Sequence, residues 1–310
     1  MKRLITVCTL ALAACALAAP SAKAQTGPIC QQFLEDWGDA PECIPAYPTG
    51  VLGRFPTCSL PCLPGTQELV PFCPPISLPP GPTGFVRHLT PPSLPHFWLG
   101  CFPSPLGGVG GIDSEPDGKT NTPAVGLSAC LPGLPTDCVE VAFGGMTFDQ
   151  DECYTDVTDH GVPGPIAFPT CGTYSLPFMT AACQPVQAFL NICVDWNADG
   201  DWNDVLPCIG AGGAGGCAYE WAVKNSPIFL PPLCAAMASP PFLTGPLSGP
   251  TWFRISLTLE PVPDDYPWAG SAGIAGGAFQ GGETEDYPAT IEHPVPTMPS
   301  TWGGVKSLYR

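Results

Sequence analysis

The segment Asp195-Trp196-Asn197-Ala198-Asp199-Gly200-Asp201-Trp202-Asn203-Asp204 concentrates oxygen donors, with Asp or Asn at six of its ten positions. The first four acidic or amide side chains alternate with other residues, and Gly200 permits a tight turn. A loop of this kind can wrap a hard cation, and calcium takes about six to eight oxygens. Its first seven positions match an EF-hand loop, but the twelfth is Leu206 rather than Glu and the preceding segment reads as a strand. The missing ligands must therefore come from elsewhere in the chain. We expect Asp195, Asn197, Asp199 and Asp201 to hold calcium, Asp201 through its side chain or its backbone carbonyl, with Asp204 a weaker candidate. The competing reading is an Asx-rich turn whose acids are solvated.

Carboxylates elsewhere are also bunched. Of the 27 acids, 17 fall in five short segments: 35–42, 113–117, 149–152, 195–204 and 283–286. Like charges held together repel unless a cation or a base neutralises them. Glu283, Glu285 and Asp286 are the candidate partners of the 195–204 loop. Asp113, Asp117, Asp149 and Asp151 are candidates for a second site. The bland alternative for these segments is a set of separate acidic turns.

Other chemistries find less support. Cys58 and Cys62 are the closest cysteine pair, and only four His are present, so zinc spacing is absent. Gly210 to Gly215 fits Gly-x-Gly-x-x-Gly but lies between Cys208 and Cys217 with no βαβ unit, and reads as a closed loop. Arg87 and His88 suit a structural contact with an acid. There is no Gly-x-Ser-x-Gly elbow and no His-Glu-x-x-His helix. Paired carboxylates could serve an extracellular carbohydrate-active hydrolase. Exposed Trp98, Trp202, Trp252 or Trp268 could stack on sugars in a glycan-binding module, although burial is the commoner fate of tryptophan.

The chain that must position these groups has 310 residues, 43 of them Pro and 36 Gly. Interior proline costs roughly 3 kcal/mol in a helix, which disfavours helical bundles. Residues 1–24 read as a secretory signal peptide, from Lys2-Arg3 through an apolar run to Ala22-Lys23-Ala24. Leu12-Ala13-Ala14-Cys15 resembles a lipobox but lies too early to favour lipid attachment. Without the leader, seven bases face 27 acids and fifteen cysteines remain. Such a polyanion is a poor ligand for nucleic acid. In an exported chain the cysteines read as disulfides, and their odd number leaves one thiol free or paired between chains. No later segment is long and apolar enough to cross a membrane.

Residues 25–95 are crowded with Pro and Cys and are expected to be mostly irregular, packing on the main domain at 96–292, with a tail at 293–310. Strands are expected at Cys138–Phe143, Val186–Asp195, Thr251–Leu259 and Tyr287–Glu292. In the second, Ala188, Leu190, Ile192 and Val194 share one face. In the third, Phe253, Ile255, Leu257 and Leu259 face a core, and Arg254 and Ser256 face out. The fold class expected is all-β: an antiparallel β-sandwich with long Pro/Gly-rich loops and multiple disulfides.

Several of these motifs, in this order, resemble the GEVED-domain family of bacterial secreted and surface proteins. The carrying residues are Asp36-Trp-Gly-Asp39-Ala-Pro41, Ala46-Tyr-Pro-Thr49, Arg87-His88, Leu99-Gly100, Asp113-Ser-Glu115-Pro-Asp117-Gly118, Asp149-Gln-Asp151-Glu152, Val194 to Trp202, Thr251-Trp-Phe-Arg254-Ile-Ser256, and Gly282-Glu283-Thr284-Glu285-Asp286-Tyr287. The resemblance spans about residues 35 to 292. Thr284 stands where the family has Val, and Cys153 where it has Gly. The cysteine load and the Pro-rich stretches 56–82 and 226–250 depart from its pattern. The resemblance implies a sandwich-like domain in surface proteins, often beside adhesive modules, and no known enzymatic activity. We therefore expect a calcium-stabilised structural or binding protein without catalysis, whose partner is a surface glycan or another extracellular protein.

Overall fold

A computed structural model describes residues 34–38, 40–57, 64–67, 70, 73–75, 80–91, 93–100, 161–162, 164–208, 216–272 and 277–293. Residues 1–24, read as a signal peptide, the 113–117 and 149–152 acids, the strand expected at Cys138–Phe143, the 210–215 stretch and the residues after His293 lie outside the described residues.

Nearly every described element is a strand. The order begins β1 (Leu34–Trp37), β2 (Glu42–Pro45), β3 (Leu52–Arg54), β4 (Arg87–Thr90), β5 (Phe97–Leu99), β6 (Ala167–Pro169), β7 (Thr173–Tyr174) and β8 (Pro177–Ala182). It continues with β9 (Val186–Val194), β10 (Val205–Cys208), β11 (Gly216–Tyr219), β12 (Trp221–Leu230), β13 (Leu233–Ala238), β14 (Phe242–Leu243) and β15 (Gly249–Thr258). A single turn of helix, α1 (Tyr266–Ala269), precedes β16 (Phe279–Gln280) and β17 (Glu283–Glu292).

A five-stranded sheet, β12-β9-β15-β17-β6, faces a three-stranded sheet, β13-β8-β5. The core between them holds Ala188, Leu190, Ile192 and Val194 of β9, Phe253, Ile255 and Leu257 of β15, and Phe97 and Phe178 from the smaller sheet. This is the all-β sandwich the alternating strands predict. Most pairs are antiparallel, but β4 with β16 and β6 with β17 run parallel. Parallel neighbours need long crossovers, and these partners are far apart in sequence.

The other face of the large sheet is also buried, which differs from the sequence expectation. Arg254 and Ser256, expected to face out, are fully buried. Their face of β15 is covered by a second core built from Tyr47, Phe55, Trp202, Trp221, Trp252, Tyr266 and Phe279. Part of that cover comes from the N-terminal stretch expected to be mostly irregular. It supplies β1 to β4, and β1-β4-β16 form a sheet of their own. A period-2 pattern registers one greasy face and misses a polar face buried by residues 200 positions away.

Disulfides join Cys73 to Cys217 and Cys171 to Cys208, and Cys183 and Cys234 are also disulfide-bonded. Cys193, on β9, is a buried free thiol, and burial pushes its pKa well above the ordinary thiol value.

Candidate metal centre

The acidic loop is pinned by its own tryptophans. Trp196 enters the sandwich core, where its ring meets Phe168 edge-on at 5.2 Å, and its indole N–H donates to the Tyr219 carbonyl. Trp202 enters the second core and stacks on Phe55 at 4.4 Å. Two anchors six residues apart on opposite sides of the sheet force the chain between them to arch. Ala198 and Gly200 take positive φ, at 57° and 96°. A Cβ on Gly200 would lie 2.2 Å from the Leu52 carbonyl oxygen, so only glycine fits there.

The arch gathers carboxylates. Asp199, Asp201 and Asp204 each place an oxygen within 4.8 Å of the others'. Asn197 Nδ2 donates to Asp204 Oδ2 at 2.7 Å. Asp195 lies deeper: its Oδ2 accepts from the Tyr47 hydroxyl at 2.7 Å and the Gly200 N–H at 2.8 Å, and its Oδ1 from the Asp199 N–H. A fifth carboxylate, Glu220, comes from between β11 and β12. Its two oxygens accept from the N–H groups of Trp196 and Asp204, at 2.9 and 2.8 Å. The Asn203 side chain is buried, and neither its Oδ1 nor its Nδ2 has a partner. A Cβ on Gly65 would lie 2.4 Å from Asp201 Oδ2 and 2.6 Å from Asn203 Nδ2, so this idle amide flanks the same small space as the Asp201 carboxylate.

The electrostatics are one-sided. Burial, then the neighbouring Asp199, push Asp195 up to about 8, and the same two causes in the same order push Asp201 up to about 7. Glu220 is raised well above the ordinary carboxylate value, by burial first and then by Asp195, Asp199, Asp201 and Asp204. Tyr47 is raised too, by burial and the Asp195 charge. Among the described residues the ion pairs are Lys224–Asp264 and Arg254–Asp286, and neither reaches Asp195, Asp201 or Glu220. Yet Asp195 and Glu220 use both oxygens as acceptors, the arrangement of an ionised carboxylate. A cation held there would reconcile that geometry with the burial.

The motif residues at 283–286 stand apart from the arch. Glu283 accepts from the Leu99 N–H, and Glu285 from the Gly161 N–H at 2.8 Å, on one face of β17. On the other face Asp286 makes a two-pronged pair with Arg254, Nε to Oδ1 at 2.7 Å and Nη2 to Oδ2 at 2.5 Å, and also accepts from the Ala40 N–H. Two further Arg254 donors go to the Pro56 carbonyl and the Thr57 hydroxyl, and its guanidinium lies 4.7 Å over the Trp202 ring. Arg254 is thus beside the loop but spends its charge on Asp286. Thr284 uses its hydroxyl to join His88 Nε2 at 2.8 Å and the Ser256 hydroxyl at 2.6 Å, and Ser256 joins the Tyr266 hydroxyl. A valine there would break this buried chain.

Of the sequence candidates, Asp199 and Asp201 meet with Asp204, while Asp195 and Asn197 line the surrounding layer. Glu220, Asn203, Tyr47 and Thr66 were not among them. Glu220 is a lone acid in sequence, and only the pairing of Val205 with Tyr219 sets it beside Asp204. Trp98, Trp202, Trp252 and Trp268 are all buried, so none offers an open surface to a sugar ring. No protein-family model matches the chain, and no curated protein matches it.

Proposed function

We propose that this is a secreted or cell-surface structural or binding module, without catalytic activity, whose 195–204 loop is ordered by calcium. The observation that carries the reading is the set of carboxylates around one arch: Asp195, Asp201, Asp204 and Glu220, all buried, and the half-buried Asp199. Asp195 and Glu220 are held in the hydrogen-bonding pattern of ionised acids, while burial first and the neighbouring acids second raise their pKa. Hard oxygen donors of this kind suit calcium, and binding to the folded chain alone adds its free energy to folding.

The export-type leader, the disulfides and the GEVED-like motif order support the extracellular assignment. A surface glycan or another extracellular protein is the partner class that fits. Nucleic acid does not fit so acidic a chain. A glycosidase needs two carboxylates across an open cleft, and Asp195, Asp201, Asp204 and Glu220 are buried instead. Among the described residues no helix is long and apolar enough to cross a membrane.

The deciding experiment is elemental analysis of the purified protein together with melting in excess chelator and in excess calcium. Bound calcium and a lower transition in chelator are expected. An unchanged transition with no metal in the protein would refute the proposal.

A further inference from the structure

We propose that residues 64–67, tied down through Cys73, act as a strap that positions the carboxylates of the cation site. Gly65 and Thr66 are its positioning residues, and the Cys73–Cys217 disulfide is its anchor. The inference rests on the calcium reading above.

Thr66 reaches two of the three clustered acids. Its N–H donates to Asp201 Oδ2 at 2.5 Å, and its hydroxyl donates to Asp199 Oδ2 at 2.9 Å. Carboxylates set side by side repel and rotate apart, and donors on their outer oxygens hold them in place, as supporting hydrogen bonds do around metal ligands. The approach is tight at the residue next door, where a Cβ on Gly65 would push both Asp201 Oδ2 and Asn203 Nδ2 from their places. Asn203, buried with no partner for either polar atom, stands at the same point and is suited to turn its oxygen to a cation.

The anchor sits where a strap needs it. Cys73 is bonded to Cys217 across 144 residues of sequence. Cys217 lies on β11, which pairs with β10, the strand that leaves Asp204. The disulfide therefore fastens the strap to the hairpin that carries both Asp204 and Glu220.

Calorimetric titration of the full chain with calcium tests this, with far-UV circular dichroism checking that each variant folds. Gly65→Ala, with every cysteine intact, and the double variant Cys73→Ser/Cys217→Ser should each bind calcium about tenfold more weakly, the equivalent of one hydrogen bond to a charged group. Thr66→Val should weaken binding and Thr66→Ser should restore it. Gly81→Ala, whose Cβ would meet nothing nearer than 3.5 Å, should match the parent. Exchange of the Thr66 amide should slow when calcium is added to the parent. If the parent binds calcium while Gly65→Ala and Thr66→Val bind it equally well, the strap is overturned and the cation site stands. If the parent binds none, both fall.

Discussion

Raising the pH should destabilise the metal-free protein in the range where Asp201 and Asp195 lose their protons, and calcium should abolish the effect. The folded-state values are about 7 and about 8, against about 4 in an unfolded chain. The folded protein thus holds protons that unfolding releases, and its stability falls as pH rises through the folded values. Between about pH 7 and about pH 8 these two carboxyls together hold on average roughly one excess proton in the folded state, which corresponds to about 1.4 kcal/mol lost per pH unit, and Glu220, also raised, acts in the same direction. For a domain of this size that is about 3–5 °C in Tm. His88, whose folded pKa is lowered to about 4 mainly by burial, is neutral in the folded state, while in the unfolded chain it is about a quarter charged at pH 7 and nearly neutral at pH 8, so it offsets only about a tenth of the trend. Calcium at about a hundredfold over its Kd should add about 3 kcal/mol at the upper pH and flatten the slope, because ionised carboxylates are then the bound form. The assay is tryptophan fluorescence or circular dichroism melting at stepped pH, in chelator and in calcium. A metal-free Tm that is level or rises with pH would refute the argument that these acids are buried together without a base.

Three further outcomes follow from the core. Arg254→Met should lower stability by about 3–5 kcal/mol, because it leaves the Asp286 carboxylate buried without its partner; denaturant midpoints measure this. Thr284→Val should cost about 1–3 kcal/mol in the same assay, since His88 and Ser256 lose the hydroxyl that joins them. As the pH falls from about 6.5 to about 4, the parent should lose up to about 3 kcal/mol relative to a His88→Gln variant, read as the difference between their two stability–pH series, in which the contribution of the loop acids cancels. The unfolded chain protonates its histidine across that window and folded His88 does so only near its bottom.

The alternation of β9 and β15 was legible because one face of each is continuously apolar. Val186–Val194 and Gly249–Thr258 appear close to where the pattern places them. The last strand begins earlier than Tyr287, since Glu283 to Asp286 pair with Leu257 to Arg254. Acidic side chains lower strand propensity, and here backbone N–H groups and Arg254 supply what these acids need in a buried sheet. The arch was legible as a tight turn crowded with oxygen donors from the spacing of its Asp and Asn residues. Its depth was not, because the residues that bury it, Tyr47, Phe55 and Thr66, come from a stretch whose Pro and Cys content reads as irregular.

The sequence by itself determined the all-β class, the disulfide-rich character and the position of the arch, because these depend on residue type and short-range spacing. Tertiary structure decided which acids meet. It assigned Asp286 to Arg254, placed Glu220 beside Asp204 through the β10–β11 pairing, and brought Thr66 onto Asp199 and Asp201. A carboxylate can be neutralised by a base, a hydrogen bond or a cation, and the choice among them is made by long-range register and packing, which no local pattern encodes.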